Sequence, residues 1–206
     1  MSSPLHCQNP LASLLLPPDI LHRIDFALVF GNERPVEMEL GSGDGSFLLQ
    51  WAARNPERNY LGVERLKGRV TKIDRKGRRA GVTNLRGLRL EANYVLEWMI
   101  PPGALAALHV YFPDPWPKTR HHKRRLVQKP FTTLAARALG PAGVLYLRTD
   151  HVEYAAQMQE VMQAADAFGP ITESEELLSV KTDFETDFNR EGKVTYHSAW
   201  RLRSPA

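Results

Sequence analysis

The chain predicts a doubly wound α/β domain, with a mostly parallel seven-stranded sheet and an antiparallel C-terminal hairpin. Three observations predict it. Strand-like runs alternate with helical patterns from Pro35 to Phe168, a rhythm that demands crossover connections and parallel pairing. Two further strand-like runs close the chain with no helix between them, which turns one sheet edge antiparallel. A glycine-rich turn sits between the first strand and its helix, the place where such sheets receive ligands.

Residues 1–18 hold Pro4, Pro10, Pro17 and Pro18 with little periodicity, and read as a loosely ordered extension to a single domain over 19–206. Asp19 is the expected N-cap of a helix running to Phe30 and closed by Gly31. Residues 35–41 read as the first strand and Ser46 to Asn55 as its helix. Residues 59–64 form the second strand, followed by a strongly basic helix from Arg65 to Ala80. The third strand covers 84–90, and a short helix at 95–100 stops at Pro101-Pro102. The fourth strand covers 105–112, and the helix from Arg124 to Leu139 is closed by Gly140-Pro141. The fifth covers 144–148, with its helix at 152–168. Residues 177–181 and 194–203 make the hairpin, joined by the polar loop 182–193.

At 206 residues with 43% hydrophobic and 24% charged side chains, the composition is that of one water-soluble domain with a full core. No apolar run approaches the ~20 residues that span a bilayer. No signal peptide is recognisable at the N-terminus, so the expected location is cytoplasmic. Cys7 is the only cysteine, which excludes an internal disulfide and a thiolate metal cluster. His121 and His122 are adjacent, which is not a chelating spacing, so no metal is expected. Monomer and homodimer both stay open.

Net charge is +4, unevenly spread. Residues 65–79 carry eight cations against Asp74, and residues 118–125 carry Lys118, Arg120, Lys123, Arg124 and Arg125 with no acid. Two basic segments on one fold suggest nucleic acid as partner. The second joins the most telling stretch of the chain, Phe112-Pro-Asp-Pro-Trp-Pro-Lys118. There Asp114 is held between two prolines of fixed φ and followed at once by Trp116. An immobilised acid, a flat stacking surface and phosphate-seeking cations suit a nucleobase within a polyanion.

The turn Glu39-Leu-Gly41-Ser-Gly43-Asp-Gly45 lets a ligand approach the backbone. It departs from the dinucleotide fingerprint, which would need glycine at Ser46, and suits S-adenosylmethionine, which has no pyrophosphate to place. Glu64 ends the second strand 19 residues after Gly45, where a carboxylate can accept from both ribose hydroxyls. Glu91 follows the third strand and Asp114 the fourth. Four acids at four consecutive strand ends suit a cofactor bearing an ammonium and a sulfonium. Two rival readings stand beside this one: a methyltransferase for a small molecule, and an RNA-binding module without chemistry.

On Glu39-Leu-Gly-Ser-Gly43, Leu61-Gly-Val-Glu64, Phe112-to-Lys118, Arg120-His-His-Lys-Arg-Arg125, Arg148-Thr-Asp150 and Thr182-Asp-Phe-Glu185, the sequence resembles the bacterial tRNA (guanine-N7-)-methyltransferase family over 35–203. The resemblance implies the class I S-adenosylmethionine-dependent fold and methyl transfer to N7 of a tRNA variable-loop guanosine, position 46. It also implies a cofactor pocket lined by Glu39, Gly41, Gly43, Glu64, Glu91 and Asp114, although Glu91 stands where the family usually has Asp or Asn. It casts Asp114 as catalytic, with Lys118, Asp150, Thr182, Asp183, Phe184 and Glu185 on the target guanosine. Arg120, His121, His122, Lys123, Arg124 and Arg125 would touch RNA.

Overall fold

A computed structural model describes residues 14–17 and 19–204. Most of the expected extension, Cys7 included, lies outside the described residues. One eight-stranded sheet runs β1-β4-β3-β2-β5-β6-β8-β7. The strands are β1 (Leu14–Leu15), β2 (Val36–Leu40), β3 (Asn59–Val63), β4 (Leu85–Leu88), β5 (Leu105–Tyr111), β6 (Leu139–Thr149), β7 (Phe168–Ile171) and β8 (Tyr196–Leu202). All pairs are parallel except β6–β8 and β7–β8. The doubly wound sheet with its antiparallel end stands as expected, and β1 adds a two-residue edge strand beside β4.

Helices cover both faces. On one lie α2 (Ser46–Arg54), α3 (Lys67–Ala80) and α7 (Glu175–Ser179), around a core of Phe47, Leu48, Trp51, Tyr60, Ile73 and Tyr111. The other face holds α4 (Ala92–Tyr94, continued by a π-helical turn at Val95–Met99), α5 (Lys129–Ala138) and α6 (Val152–Gln163). Covered on both sides, β2, β3 and β4 are buried at every position, the pattern of parallel strands. Strand order reverses between β2 and β5, so the ligand crevice lies at their carboxyl ends.

Several boundaries differ from expectation for identifiable reasons. Helix α1 (Phe26–Phe30) is capped by Asp25, whose Oδ1 accepts from Leu28 N–H at 3.1 Å. Asp19 instead closes a local turn, accepting from Leu21 and His22 N–H. Residues 119–124 form a separate 3-10 helix, and α5 starts only at Lys129 with Pro130 in its first turn. Gly140-Pro141 does not end a helix there; Leu139 already pairs with Leu105, and after a bulge with Ala142 at φ 58° Val144 pairs with Ala107. Helix α6 stops at Gln163 because Phe168–Ile171 is the edge strand β7, where exposed Pro170 has no ladder bond to donate.

The tail departs furthest. The expected strand at 177–181 is largely helix α7, capped by Ser174 and carrying Glu175 and Glu176 in its first turn. The expected loop 182–193 contains α8 (Asp183–Arg190), capped by Thr182. The hairpin therefore consists of β7 and β8, with both helices inserted in its connection.

A Cβ at Gly62 in β3 would stand 2.8 Å from Ser42 Oγ and 2.9 Å from Leu48 Cδ1. Gly62→Ala should therefore destabilise the domain by about 1–3 kcal/mol, the usual cost of overpacking, read as a lowered midpoint in urea. An unchanged midpoint would show that α2 and the glycine turn shift freely on β3.

Candidate active site

At the carboxyl ends of β2 and β5 lies a cavity of about 210 Å³. Glu39, Gly41, Ser42 and Gly43 form one wall, Tyr111 and Phe112 another, and Thr182, Asp183 and Phe184 the roof. Gly41, Gly43 and Gly45 all have positive φ, which only glycine adopts without strain. Gly45 also admits no side chain, since its Cβ would meet Ile73 Cγ1 at 2.8 Å. A Cβ at Gly41 or Gly43 would meet nothing within 4 Å, so the turn leaves open space for a ligand.

Two expected cofactor-binding acids stand at this turn, Glu39 within it and Glu64 against it from the end of β3. Glu39 is buried, and its Oε2 has no hydrogen-bond partner. Burial pushes its carboxyl up to about 8, with Asp44 and Glu64 adding to the rise and Arg148 opposing it. An orphaned carboxylate beside open glycines is a site for a cation or a polar donor. Glu64 lies next to the cavity: its Oε2 accepts from Gly43 N–H at 3.2 Å and its Oε1 from Leu66 N–H at 2.8 Å. It braces the glycine turn and retains lone pairs for a ligand. Glu91 is exposed and does not line the cavity; its Oε2 accepts from Tyr94 N–H at 2.9 Å and caps α4.

The loop after β5 is strained at both ends, with Phe112 at φ 49° and Trp116 at φ 44°. Bulky residues rarely adopt this conformation outside functional sites. Between them exposed Asp114 accepts from Trp116 N–H through Oδ1 at 3.0 Å. Trp116 is flanked by the Arg124 guanidinium, 5.0 Å from its ring, and by the edge of His121. Lys118, Arg120, Lys123 and Arg124 are exposed.

Arg125 departs from the expected RNA contact. Its side chain is buried, Nε donates to Pro115 O at 2.7 Å, and the guanidinium also reaches Gln157, Glu153 and the face of Tyr154. It braces the Asp114 loop from beneath. His122, against Glu153 and Arg125, belongs to the same brace.

The roof is held from β6. Arg148, fully buried, donates to Val180 O at 2.8 Å and Leu177 O at 2.9 Å, and pairs with Glu185 at 3.2 Å and Glu173 at 3.3 Å. Its guanidinium also lies 4.4 Å from the Tyr111 ring. Glu185 thus faces inward onto Arg148 and docks α8, away from the cavity. Thr182 Oγ1 accepts from Glu185 N–H at 2.9 Å. Phe184 is exposed, with Arg69 5.7 Å from its ring. Half-buried Asp150 follows β6 within electrostatic reach of Lys193.

Six expected site residues therefore line the cavity: Glu39, Gly41, Gly43, Thr182, Asp183 and Phe184. The expected site residues did not include Arg69, Lys72, Tyr111, Phe112 and Asp187, nor Ser42, Asp44, Ser46 and Phe47 of the turn and of α2. Arg69 and Lys72 were visible only as members of a basic run, and Tyr111-Phe112 as the end of a strand. No cluster of three or more potential metal ligands occurs among the described residues.

A family model described as "Putative methyltransferase" matches residues 33–198. The tRNA (guanine-N(7)-)-methyltransferase of Cronobacter sakazakii is 38% identical over 180 residues, which is 87% of this chain and 75% of the relative. The enzyme of the same name from Aeromonas hydrophila is 39% identical over 181 residues, 87% of this chain and 76% of that one. Among solved structures, the 16S rRNA methyltransferase KamB superposes with a TM-score of 0.64 at 17% identity, covering 87% of this chain and 93% of that one. At that identity the likeness concerns the fold alone.

Two outcomes follow from the geometry. Folding raises the Glu39 pKa to about 8, so the native state binds more protons than the unfolded state and stability falls as pH rises from ~4.5 to ~8. Glu39→Gln should flatten that fall and leave the ligand-free protein more stable above pH 8; thermal melts across pH check it, and an unchanged profile would show Glu39 to be solvated. Arg125→Ala should cost about 2–3 kcal/mol, since Pro115 O and Gln157 lose their partner, whereas Lys123→Ala should stay within ~0.5 kcal/mol. Equal denaturation midpoints for the two variants would remove Arg125 from the brace.

Proposed function

We propose that this chain, which belongs to the tRNA (guanine-N(7)-)-methyltransferase family, binds S-adenosylmethionine at the Gly41–Gly45 turn and presents a tRNA guanosine to it from the Asp114 loop. Its activity is S-adenosylmethionine-dependent methylation of guanine N7 in tRNA. The observation that carries the assignment of the site is the orphaned, buried Glu39 oxygen beside open glycines, in a cavity whose lining mixes Arg69 and Lys72 with Asp44, Asp183 and Asp187.

Glu39 is suited to the cofactor's ammonium, whose charge would favour the ionised carboxylate that burial opposes. Glu64 offers its remaining lone pairs to the ribose hydroxyls. When bound, S-adenosylmethionine supplies a methyl group carried on a sulfonium. The N7 of guanine already has a free lone pair, so no residue need remove a proton. The chain's contribution is therefore placement within a site that excludes water. Asp114, with Oδ1 fixed by Trp116 N–H, turns its other oxygen to the guanine N1–H and amino group. Asp150 is the second acceptor for that edge. Lys118, Arg120, Lys123 and Arg124, all exposed, meet phosphates and set the register of the RNA. The target is the variable-loop guanosine, which is accessible without unstacking a long duplex. Thr182, Asp183 and Phe184 cover the site from α8.

Bulk tRNA incubated with labelled S-adenosylmethionine and digested to nucleosides should yield label in 7-methylguanosine alone; label on another atom would overturn the reading. Asp114→Asn keeps the loop's shape but exchanges an acceptor for a donor. Single-turnover rates should fall by roughly two orders of magnitude, about 3 kcal/mol, while tRNA affinity changes far less. A rate near the parent's would make Asp114 a loop residue only.

A further inference from the structure

Helix α3 buries only Val70, Ile73 and Gly77 against the sheet. Its opposite side is almost wholly cationic. Arg69, Lys72, Lys76 and Arg79 are spaced three, four and three residues apart, and Arg75 lies three after Lys72 and four before Arg79, so the five share one face over about 15 Å. Such like-charged neighbours repel one another on a helix. Acids relieve this at the cavity end, where Asp44, Glu64 and Asp183 face Arg69, Lys72 and Lys76, and not further along the helix at Arg75 and Arg79. Lys76 pairs with Asp44 at 2.7 Å, and Arg69 stands 3.9 Å from Glu64. Lys72, Arg75 and Arg79 are exposed and have no carboxylate within ion-pair distance among the described residues.

The stripe begins at the cavity, since Arg69 and Lys72 line its mouth. β3 and β5 flank β2 in the sheet, so α3 and the basic segment 118–124 leave its carboxyl edge on opposite sides of the glycine turn. An RNA whose target base enters the cavity continues its backbone on both sides of that base. One side meets Lys118 to Arg124; on the other, among the described residues, lies the cationic face of α3.

We propose that the face Lys72–Arg75–Arg79 of α3 is a second RNA-binding surface, holding phosphates on the far side of the target nucleotide from the 118–124 cluster. The inference rests on the reading that the substrate is tRNA, and deepens it. A polyanion neutralises the stripe's self-repulsion and releases counterions, so its contribution is marked by salt dependence. A face that merely keeps the protein soluble leaves no such mark.

The test uses the full chain with Arg75→Gln/Arg79→Gln. Both residues lie away from the cavity lining, and glutamine keeps the helix propensity. Each lost phosphate contact lowers the slope of log affinity against log salt by about 0.7–0.9, so the pair should lose about 1.5. KM for tRNA should rise about tenfold at low salt while kcat and S-adenosylmethionine affinity by calorimetry stay at the parent's values. Arg75→Glu/Arg79→Glu should weaken tRNA binding further, and circular dichroism confirms that both variants fold. A parent that methylates tRNA beside variants with its slope and its KM would overturn the second surface and leave the reading of function intact. A parent that shows no salt-dependent tRNA binding at all would overturn the reading, and this inference with it.

Discussion

One buried cation organises the ligand side of this domain. Arg148 sits at the end of β6 with no solvent exposure, and its two terminal nitrogens reach four acceptors between Glu173 and Glu185. Those bonds fix α7 and α8 as the roof. Its flat face lies on Tyr111 and near Phe47, both cavity residues, so the floor is set by the same group. A guanidinium taken out of water loses several kcal/mol of solvation and must be surrounded by acceptors to be tolerated. Here the roof is that set of acceptors. Removing Arg148 would leave Glu173 and Glu185 in the interior with His197, 3.7 and 3.6 Å away, as their remaining basic neighbour. The same charge opposes the rise of the Glu39 carboxyl without cancelling it, which keeps Glu39 poised for a cationic ligand.

Where neighbouring residues carry the signal, the sequence reading matches the structure closely. The strands β2 to β5 and helices α2 and α3 declare themselves through apolar runs and glycine punctuation, and the turn Glu39 to Gly45 sits at the strand-order reversal as expected. In the tail, polarity alone reads as loop, and the helix signals lie in the capping residues. Thr182-Asp-Phe-Glu185 has the Thr-x-x-Glu spacing of a capping box, which would have located α8, although Glu185 uses its side chain on Arg148 in place of the cap. Ser174 before Glu175-Glu176 is a similar start signal for α7.

Long-range partners were not legible at all. Nothing in the run Arg120 to Arg125 distinguishes Arg125 from its neighbours, yet its guanidinium alone is buried, because the Pro115 carbonyl and Gln157 meet it from elsewhere in the chain. A basic run mixes two kinds of work. One cation shapes the loop, and the exposed ones meet solvent or a polyanion. The strain at Phe112 and Trp116 has the same origin: sequence proposes a stiff Pro-Asp-Pro loop, and only tertiary contacts hold both ends in an unfavourable conformation.

The way the roof is anchored has a further consequence, for the local stability of the domain. Between Glu173 and Arg190 the buried residues are Glu173, Leu177, Val180, Thr182 and Glu185, three of them polar. A segment attached mainly through directional bonds, with two aliphatic side chains in the core, detaches as a unit at a free energy well below that of global unfolding. Amide exchange in α8 is accordingly expected to run ahead of exchange in the strands beneath it.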